Sequence, residues 1–182
     1  HLSAYSLIIE PNTPFYAKGV SPQTDEEARQ CYDYLLEQAR AHGYERYEVS
    51  AFSKPGFASK HNLTYWTNKE YYGVGLGASG YLNGRRYTNT KKLNDYLKDH
   101  YLGSEEILTP LQKEEEYLYL HLRLSEGFSL NEFQEKFGVN FPIKYQESLQ
   151  KMENTGLFNL TDDRFYLTDE GLMKLDYFFT HL

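Results

Sequence analysis

The first ten residues, HLSAYSLIIE (His1–Glu10), decide how the front half of the chain is read. From Leu2 to Ile9 they form a near-continuous apolar run that stops at Glu10-Pro11-Asn12-Thr13-Pro14, as a strand covered on both faces of a parallel sheet does. Residues 21–43 then read as a helix. Thr24 caps it, Glu27 completes a capping box, Ala28, Cys31, Tyr32, Leu35 and Ala39 form one face, and Gly43 ends it. Tyr47 to Phe52, in ERYEVSAF, is a second strand, so residues 1–52 make a βαβ unit of the kind that builds α/β barrels and open parallel sheets. Such sheets carry their sites beyond the carboxyl ends of the strands. Glu10 ends one strand, and the loop Ser53-Lys54-Pro55-Gly56 leads from the other into KHNLTYW (60–66).

That heptapeptide is too polar at its front and too aromatic at its back to be a periodic helix or strand face, so it is expected to be a loop. Next comes YYGVGLGASGYLNGRRYTN, in which Gly73, Gly75, Gly77 and Gly80 leave the backbone bare and Asn83-Gly84 signals a two-residue hairpin. Gly75-x-Gly77-x-x-Gly80 has the spacing of a dinucleotide fingerprint, but a hairpin follows where a helix must begin. The segment instead admits a flat ligand or another stretch of backbone. Thr90 to Leu102 is expected to be an amphipathic helix with Leu93, Tyr96, Leu97 and Tyr101 inward.

Beyond Thr109 the pattern changes to short, cleanly capped helices. They open at Thr109-Pro110-x-Gln112, at Ser129-x-x-Glu132 and at Pro142, the last running to Gly156. A hairpin follows, from Leu157 to Leu160 and from Phe165 to Leu167 about a Thr161-Asp162-Asp163 turn, and Thr168 caps a final helix. Three helices, a two-stranded wing and a terminal helix make a winged-helix-like domain. The expected organisation is therefore α/β plus α+β: residues 1–103, a linker over 104–110, and residues 111–182.

The chain has 182 residues, long enough to bury a core in each part, and its 18 Tyr and 11 Phe make it rich in flat rings that fill cores and line pockets alike. No apolar run is long enough to span a bilayer, and no leader pattern opens the chain. The single cysteine, Cys31, excludes an internal disulfide and any thiolate cluster made by this chain alone. A reducing cytoplasm is the expected setting. Because a strand begins at once after His1, the chain reads as a piece of a longer protein.

Each chemical reading has a plainer competitor. A winged helix suggests DNA, but residues 111–182 hold seven Lys or Arg against 13 Asp or Glu, and the wing tip is Asp162-Asp163. A cationic stripe is absent, so no nucleic-acid contact is expected. Glu10 is placed for acid–base work, yet strand-end carboxylates more often anchor loops. Cys31, on the apolar face, reads as core. His42, His100, His121 and His181 lack spaced partners for a zinc site. His61 differs, because a neutral imidazole beside the flat rings of Tyr65 and Trp66 suits haem iron. On composition alone, a turn histidine bonded to backbone competes with that reading.

Taken together, HLSAYSLIIEPNTPFY, YEVSAFSKPGF, KHNLTYW and GVGLGASGYLNGRRYTN resemble the C-terminal part of the radical S-adenosylmethionine proteins related to oxygen-independent coproporphyrinogen III oxidase (HemN), and within them the haem-chaperone, or HemW-type, branch. The resemblance covers nearly the whole chain. It implies the end of a partial (β/α) radical SAM barrel followed by the small C-terminal domain. His61-Asn62-x-x-Tyr65-Trp66 fits the branch's haem-binding motif, with His61 the iron ligand. By the same resemblance Ile8, Gly75, Gly77, Ala78 and Ser79 line an S-adenosylmethionine pocket, largely through backbone. The cysteines that hold the family's [4Fe–4S] cluster are not in this chain, so S-adenosylmethionine and the cluster are cofactors of the full-length protein only, and this chain alone is not expected to catalyse. Three functions follow: a protein that binds haem and delivers it to a haem-requiring partner, an oxidase that decarboxylates a porphyrinogen's propionates, or an acidic winged-helix interaction module. The partners implied are a tetrapyrrole and a haem-accepting protein, through which the chain reaches a membrane periphery without a segment that spans it.

Overall fold

The computed structural model describes all of residues 1–182. They fold as two compact units, His1–Ser59 and Lys60–Leu182. No helix is long and apolar enough to cross a membrane.

In the first unit, β1 (Leu2–Ser3) leads through an irregular segment to α1 (Pro14–Ala17), α2 (Asp25–Ala41), β2 (Glu45–Glu48) and β3 (Ala51–Ser53). The capping box of α2 forms as expected: the Thr24 hydroxyl accepts the Glu27 N–H at 3.2 Å, and the Glu27 carboxylate accepts the Thr24 N–H at 2.9 Å. Leu36 and Ala39 are buried with Phe52, and Tyr32, Leu35 and Tyr44 pack around them. Cys31 is exposed, which corrects its assignment to the core. It lies one residue, roughly 100° of helix rotation, off the stripe of Tyr32, Leu35/Leu36 and Ala39.

The sheet also corrects the expectation. ERYEVSAF is two strands, broken at Val49-Ser50, and the order β1-β3-β2 is antiparallel at both pairings. A parallel βαβ unit is thus absent from these residues. The physical reason is that β2 and β3 satisfy one another as a bulged hairpin and β1 needs only two residues to pair with the free edge of β3. Leu7 and Ile8, read as strand, lie outside it with 52% and 75% of their surface exposed.

In the second unit, α3 (Lys60–Trp66) precedes β4 (Ser79–Leu82), β5 (Arg85–Asn89), α4 (Leu93–Tyr96) and β6 (Leu102–Ile107). Asn83 and Gly84 have φ of 51° and 70°, the two left-handed positions that a tight hairpin turn demands. The expected helix over 90–102 is a single turn, α4, with Leu93, Leu97 and Tyr101 exposed. The expected linker over 104–110 falls largely within β6, which pairs antiparallel with β5 from Asn89↔Leu102 to Arg85↔Ile107. An amphipathic helix needs a surface to cover its apolar face, whereas the open edge of β5 offers a row of unmet backbone donors and acceptors.

The remainder runs α5 (Pro110–His121), β7 (Phe128–Ser129), α6 (Leu130–Phe137), α7 (Phe141–Lys144), α8 (Gln146–Met152), β8 (Phe158–Leu160), β9 (Arg164–Leu167), α9 (Asp169–Met173) and α10 (Leu175–His181). Thr109 and Gln112 form the capping box of α5, Ser129 caps α6, and Gly138 ends α6 in the left-handed region. The expected third helix is broken at Tyr145 into α7 and α8. There Lys144 and the Tyr145 hydroxyl both donate to the buried Glu114 carboxylate of α5, at 2.6 and 2.8 Å, so the break satisfies a buried charge. The hairpin gains β7 as a third strand, in the order β7-β9-β8.

Helices and sheet close over an aromatic core. Phe128, Phe133, Phe141, Phe165 and Phe178 are at most 1% exposed, with Phe128–Phe141 and Phe141–Phe165 ring centroids 5.0 and 4.8 Å apart. Gly127, at φ 60°, lets the chain pass directly against β9: a Cβ there would run into the Phe165 carbonyl oxygen and the Tyr166 backbone. Gly127→Ala is therefore expected to lower unfolding stability by at least about 2 kcal/mol, from the left-handed φ and the backbone clash together. A denaturant titration with an unchanged m-value checks it.

Candidate functional site

KHNLTYW forms helix α3, which corrects the loop expectation. The Thr64 hydroxyl donates to the Lys60 carbonyl at 2.9 Å, and that of Thr67 to Leu63 at 2.6 Å. Asn68, at φ 51°, then turns the chain out of the helix. Periodicity missed the element because its pattern is aromatic pairing at four-residue spacing rather than an apolar stripe. His61 and Tyr65 share a face, their rings edge to face with centroids 4.8 Å apart, and Tyr65 meets Tyr71 in the same way at 4.6 Å. The His61 side chain is exposed, and no hydrogen bond or ion pair engages its imidazole.

Trp66 and Asn62 lie on the neighbouring face, so the motif residues do not all converge. The Arg123 guanidinium sits 5.6 Å from the Trp66 ring and 4.4 Å from that of Tyr119, whose hydroxyl it also meets. One turn away, Asn68 donates to Glu116 at 3.4 Å, and Glu116 receives Arg86 at 2.6 Å. Arg86 in turn lies 4.9 Å from the Tyr81 ring. The hydrogen bond to Glu116 holds the Arg86 guanidinium above its ordinary pKa. These clamps were not legible in sequence, because Arg123, Glu116 and Arg86 approach α3 only once α5 and β5 have packed.

The glycine segment is held by its own sheet. Asn89 donates to the Gly73 and Gly75 carbonyls at 3.1 and 2.8 Å, the Tyr87 hydroxyl accepts the Gly73 N–H at 2.9 Å, and Gly77 N–H donates to Thr90 at 2.9 Å. Ala78 N–H reaches Gly75 at 3.3 Å, and the hydroxyls of Ser79 and Thr88 pair at 2.9 Å. Close approach of another segment, one of the two expected uses of bare backbone, occurs at Gly73 and Gly80. Ile8 belongs to the first unit, exposed and outside any strand.

His121, read from sequence as unremarkable, is buried at 8% exposure. Its ring stacks on Tyr117 at 3.7 Å, and Nδ1 lies 2.9 Å from the Tyr117 carbonyl. Burial pushes its pKa down from 6.5 to about 4, the backbone hydrogen bond opposing and nearby Lys136 and Arg164 adding to the drop. Burial likewise pushes the Tyr117 phenol up to about 12.

Residues 108–173 match the HemN C-terminal domain family. The chain is 40% identical over 179 residues to the haem chaperone HemW of Lactococcus lactis, covering 94% of this chain and 47% of that protein. It is 38% identical to HemW of Bacillus subtilis, with coverages of 94% and 48%, and 35% identical to HemW of Escherichia coli, with 97% and 48%. The chain thus spans about half the length of the curated relatives it matches. Among solved structures, coproporphyrinogen III oxidase (HemN) from Escherichia coli, a radical SAM enzyme, shares the fold at a TM-score of 0.68 and 12% identity, over 88% of this chain and 42% of that one.

Two measurements check this geometry. Trp66 is the chain's only tryptophan, so Arg123→Ala, which removes a cation worth about 0.5–1 kcal/mol over its ring, is expected to shift the emission maximum while circular dichroism is retained. His121 supplies the pH dependence. Its native ring stays neutral while the unfolded ring takes a proton below 6.5, so its contribution is whole above pH 6.5 and is lost as pH falls toward about 4. His121→Phe is expected to remove up to about 1.4 kcal/mol per pH unit from the stability slope in that window, read by denaturation at stepped pH.

Proposed function

With residues 108–173 matching the HemN C-terminal domain family and nearly the whole chain aligned with about half the length of HemW-type haem chaperones, we propose that it is the C-terminal part of a radical SAM-family protein that binds haem and hands it to a haem-requiring partner. The observation that carries this is the exposed His61 imidazole, engaged by no hydrogen bond or ion pair and backed edge-on by the Tyr65–Tyr71 aromatic column. A single unengaged imidazole beside flat rings is a donor set that fits haem iron, which would supply a metal centre able to take a nitrogen ligand.

In this reading His61 would hold the haem iron through its imidazole, with Tyr65 fixing the orientation of that ring, Asn62 steadying the helix, and Trp66, with Arg123 over its ring, forming the adjoining wall. Residues 1–103 would complete a partial radical SAM barrel, and residues 111–182 a winged-helix-like module beside it. Gly75, Gly77, Ala78 and Ser79 would face S-adenosylmethionine largely through backbone, the Gly75 carbonyl, the Gly77 and Ala78 N–H groups and the Ser79 hydroxyl already being bonded within the chain. No specific feature favours the porphyrinogen oxidase or the acidic adaptor.

His61→Ala in the full-length protein is expected to shift or abolish the Soret band of the haem complex, whereas His42→Ala and His181→Ala, whose rings bond carbonyls of their own helices, leave it unchanged. Affinity is expected to fall less than the spectrum changes, because the aromatic contacts remain. A His61→Ala spectrum identical to wild type, in protein that retains its fold, would make KHNLTYW a structural helix only.

A further inference from the structure

We propose that a second pocket, bounded by α5, α6 and β9, binds hydrogen phosphate, an oxyanion that carries both negative oxygens and one O–H. The proposal does not depend on haem binding.

The pocket encloses about 630 Å³ and includes His121, Lys136 and Arg164 in its lining. Its chemistry follows from the hydrogen-bond state of one ring. Nδ1 of His121 lies 2.9 Å from the Tyr117 carbonyl, which can only accept, so Nδ1 carries the proton. The neutral ring therefore keeps its lone pair on Nε2, and burial favours that neutral form. A ligand that meets Nε2 must bring a donor.

The cations ask for the opposite. Lys136 Nζ rests 5.0 Å from the Tyr117 ring and 5.9 Å from that of Phe137, with no carboxylate at ion-pair distance. Arg164 is oriented by the Glu126 carbonyl at 3.0 Å and only loosely paired with its carboxylate at 3.7 Å. These two cations add to the drop in the His121 pKa, while Glu126, Glu132 and Glu135 stand in the same wall. A ligand at this edge must therefore present negative oxygens to Lys136 and Arg164 and a hydrogen to Nε2.

Orthophosphate at neutral pH meets both demands, because HPO₄²⁻ still holds a proton. Sulfate and carboxylates have the charge without the O–H, and a phosphomonoester, whose second pKa is about 6, has largely lost its proton by pH 7. The Glu126, Glu132 and Glu135 side chains share the lining with Lys69, Lys136 and Arg164, so its formal charge is balanced and polyanions of higher charge than phosphate are disfavoured by like-charge repulsion. Thr67 and Lys69, in the turn just past Trp66, form part of the same wall, so a bound ion touches the segment that ends α3.

The test is a titration of the intact, ¹⁵N-histidine-labelled chain in phosphate-free buffer at pH 7, read at the His121 ring nitrogens. Inorganic phosphate is expected to move the Nε2 resonance saturably. Sulfate and glycerol 2-phosphate are expected to bind at least about tenfold more weakly, the cost of one unmade hydrogen bond to the Nε2 acceptor. Lys136→Gln, an exposed position, is expected to weaken phosphate by about tenfold, and His61→Ala to leave it unchanged. No movement of Nε2 with phosphate, or an equal response to sulfate or to the ester, overturns the proposal. That comparison uses the wild-type chain and stands even if a variant misfolds.

Discussion

The Arg86–Glu116 ion pair, 2.6 Å long and half-buried, is the contact on which the geometry of the second unit turns. Glu116 projects from α5 and Arg86 from β5, and Asn68, which ends α3, reaches the same carboxylate. Three elements distant in sequence therefore share one charge centre. Removing either partner leaves the other partly desolvated and unpaired, which costs more than the pair itself contributes. Because α3 is only seven residues long, well below the length at which an isolated helix persists, its direction is set by such outside contacts. The Arg123–Trp66 stack adds a second fixed point one turn away. Between them they hold the neighbouring face of α3, and His61 is left exposed beside Tyr65.

This division explains how one short helix serves two needs. Its Trp66 side is committed to packing, while the imidazole on its His61 side remains without a hydrogen bond or ion pair. Packing on one side limits the motion of the ring on the other, the preorganisation that the proposed haem contact through His61 calls for. The glycine segment contributes differently. Its carbonyls are drawn onto β5 by Asn89, and a side chain at Gly80 would meet the Tyr87 ring whose hydroxyl binds Gly73. At Gly73 and Gly80 the absence of a Cβ lets the chain lie flat on its own sheet.

Within the helical part, charge and core are separated. Five phenylalanines fill an interior no more than 1% exposed, and the excess of acidic residues lies outside it. Where an ionisable group does go inside, the fold supplies partners: Glu114 takes Lys144 and Tyr145, and burial with the Glu114 contact holds the Tyr145 phenol above its ordinary range. His121 is the exception, kept neutral and bonded through one nitrogen only.

The sequence by itself determined the caps, the turns and the motif. Thr24–Glu27, Thr109–Gln112, Ser129, Gly138 and Asn83-Gly84 all act within a few residues of themselves, so local chemistry suffices to place them. The His61-x-x-x-Tyr65 spacing was equally visible, although its helical character was hidden by the lack of an apolar stripe. Tertiary structure alone decided which edges pair and which faces are covered. Leu2–Ile9 is as apolar as a buried strand, yet only Leu2–Ser3 finds a partner, and antiparallel rather than parallel. Thr90–Leu102 has a helical pattern, yet β5 recruits the chain from Leu102 onward. Hydrophobic pattern records what a segment is able to bury, whereas strand pairing depends on which backbone donors and acceptors remain unmet once the rest of the chain has folded. For the same reason Arg123, Glu116 and His121 acquire their roles only through neighbours that the fold brings to them.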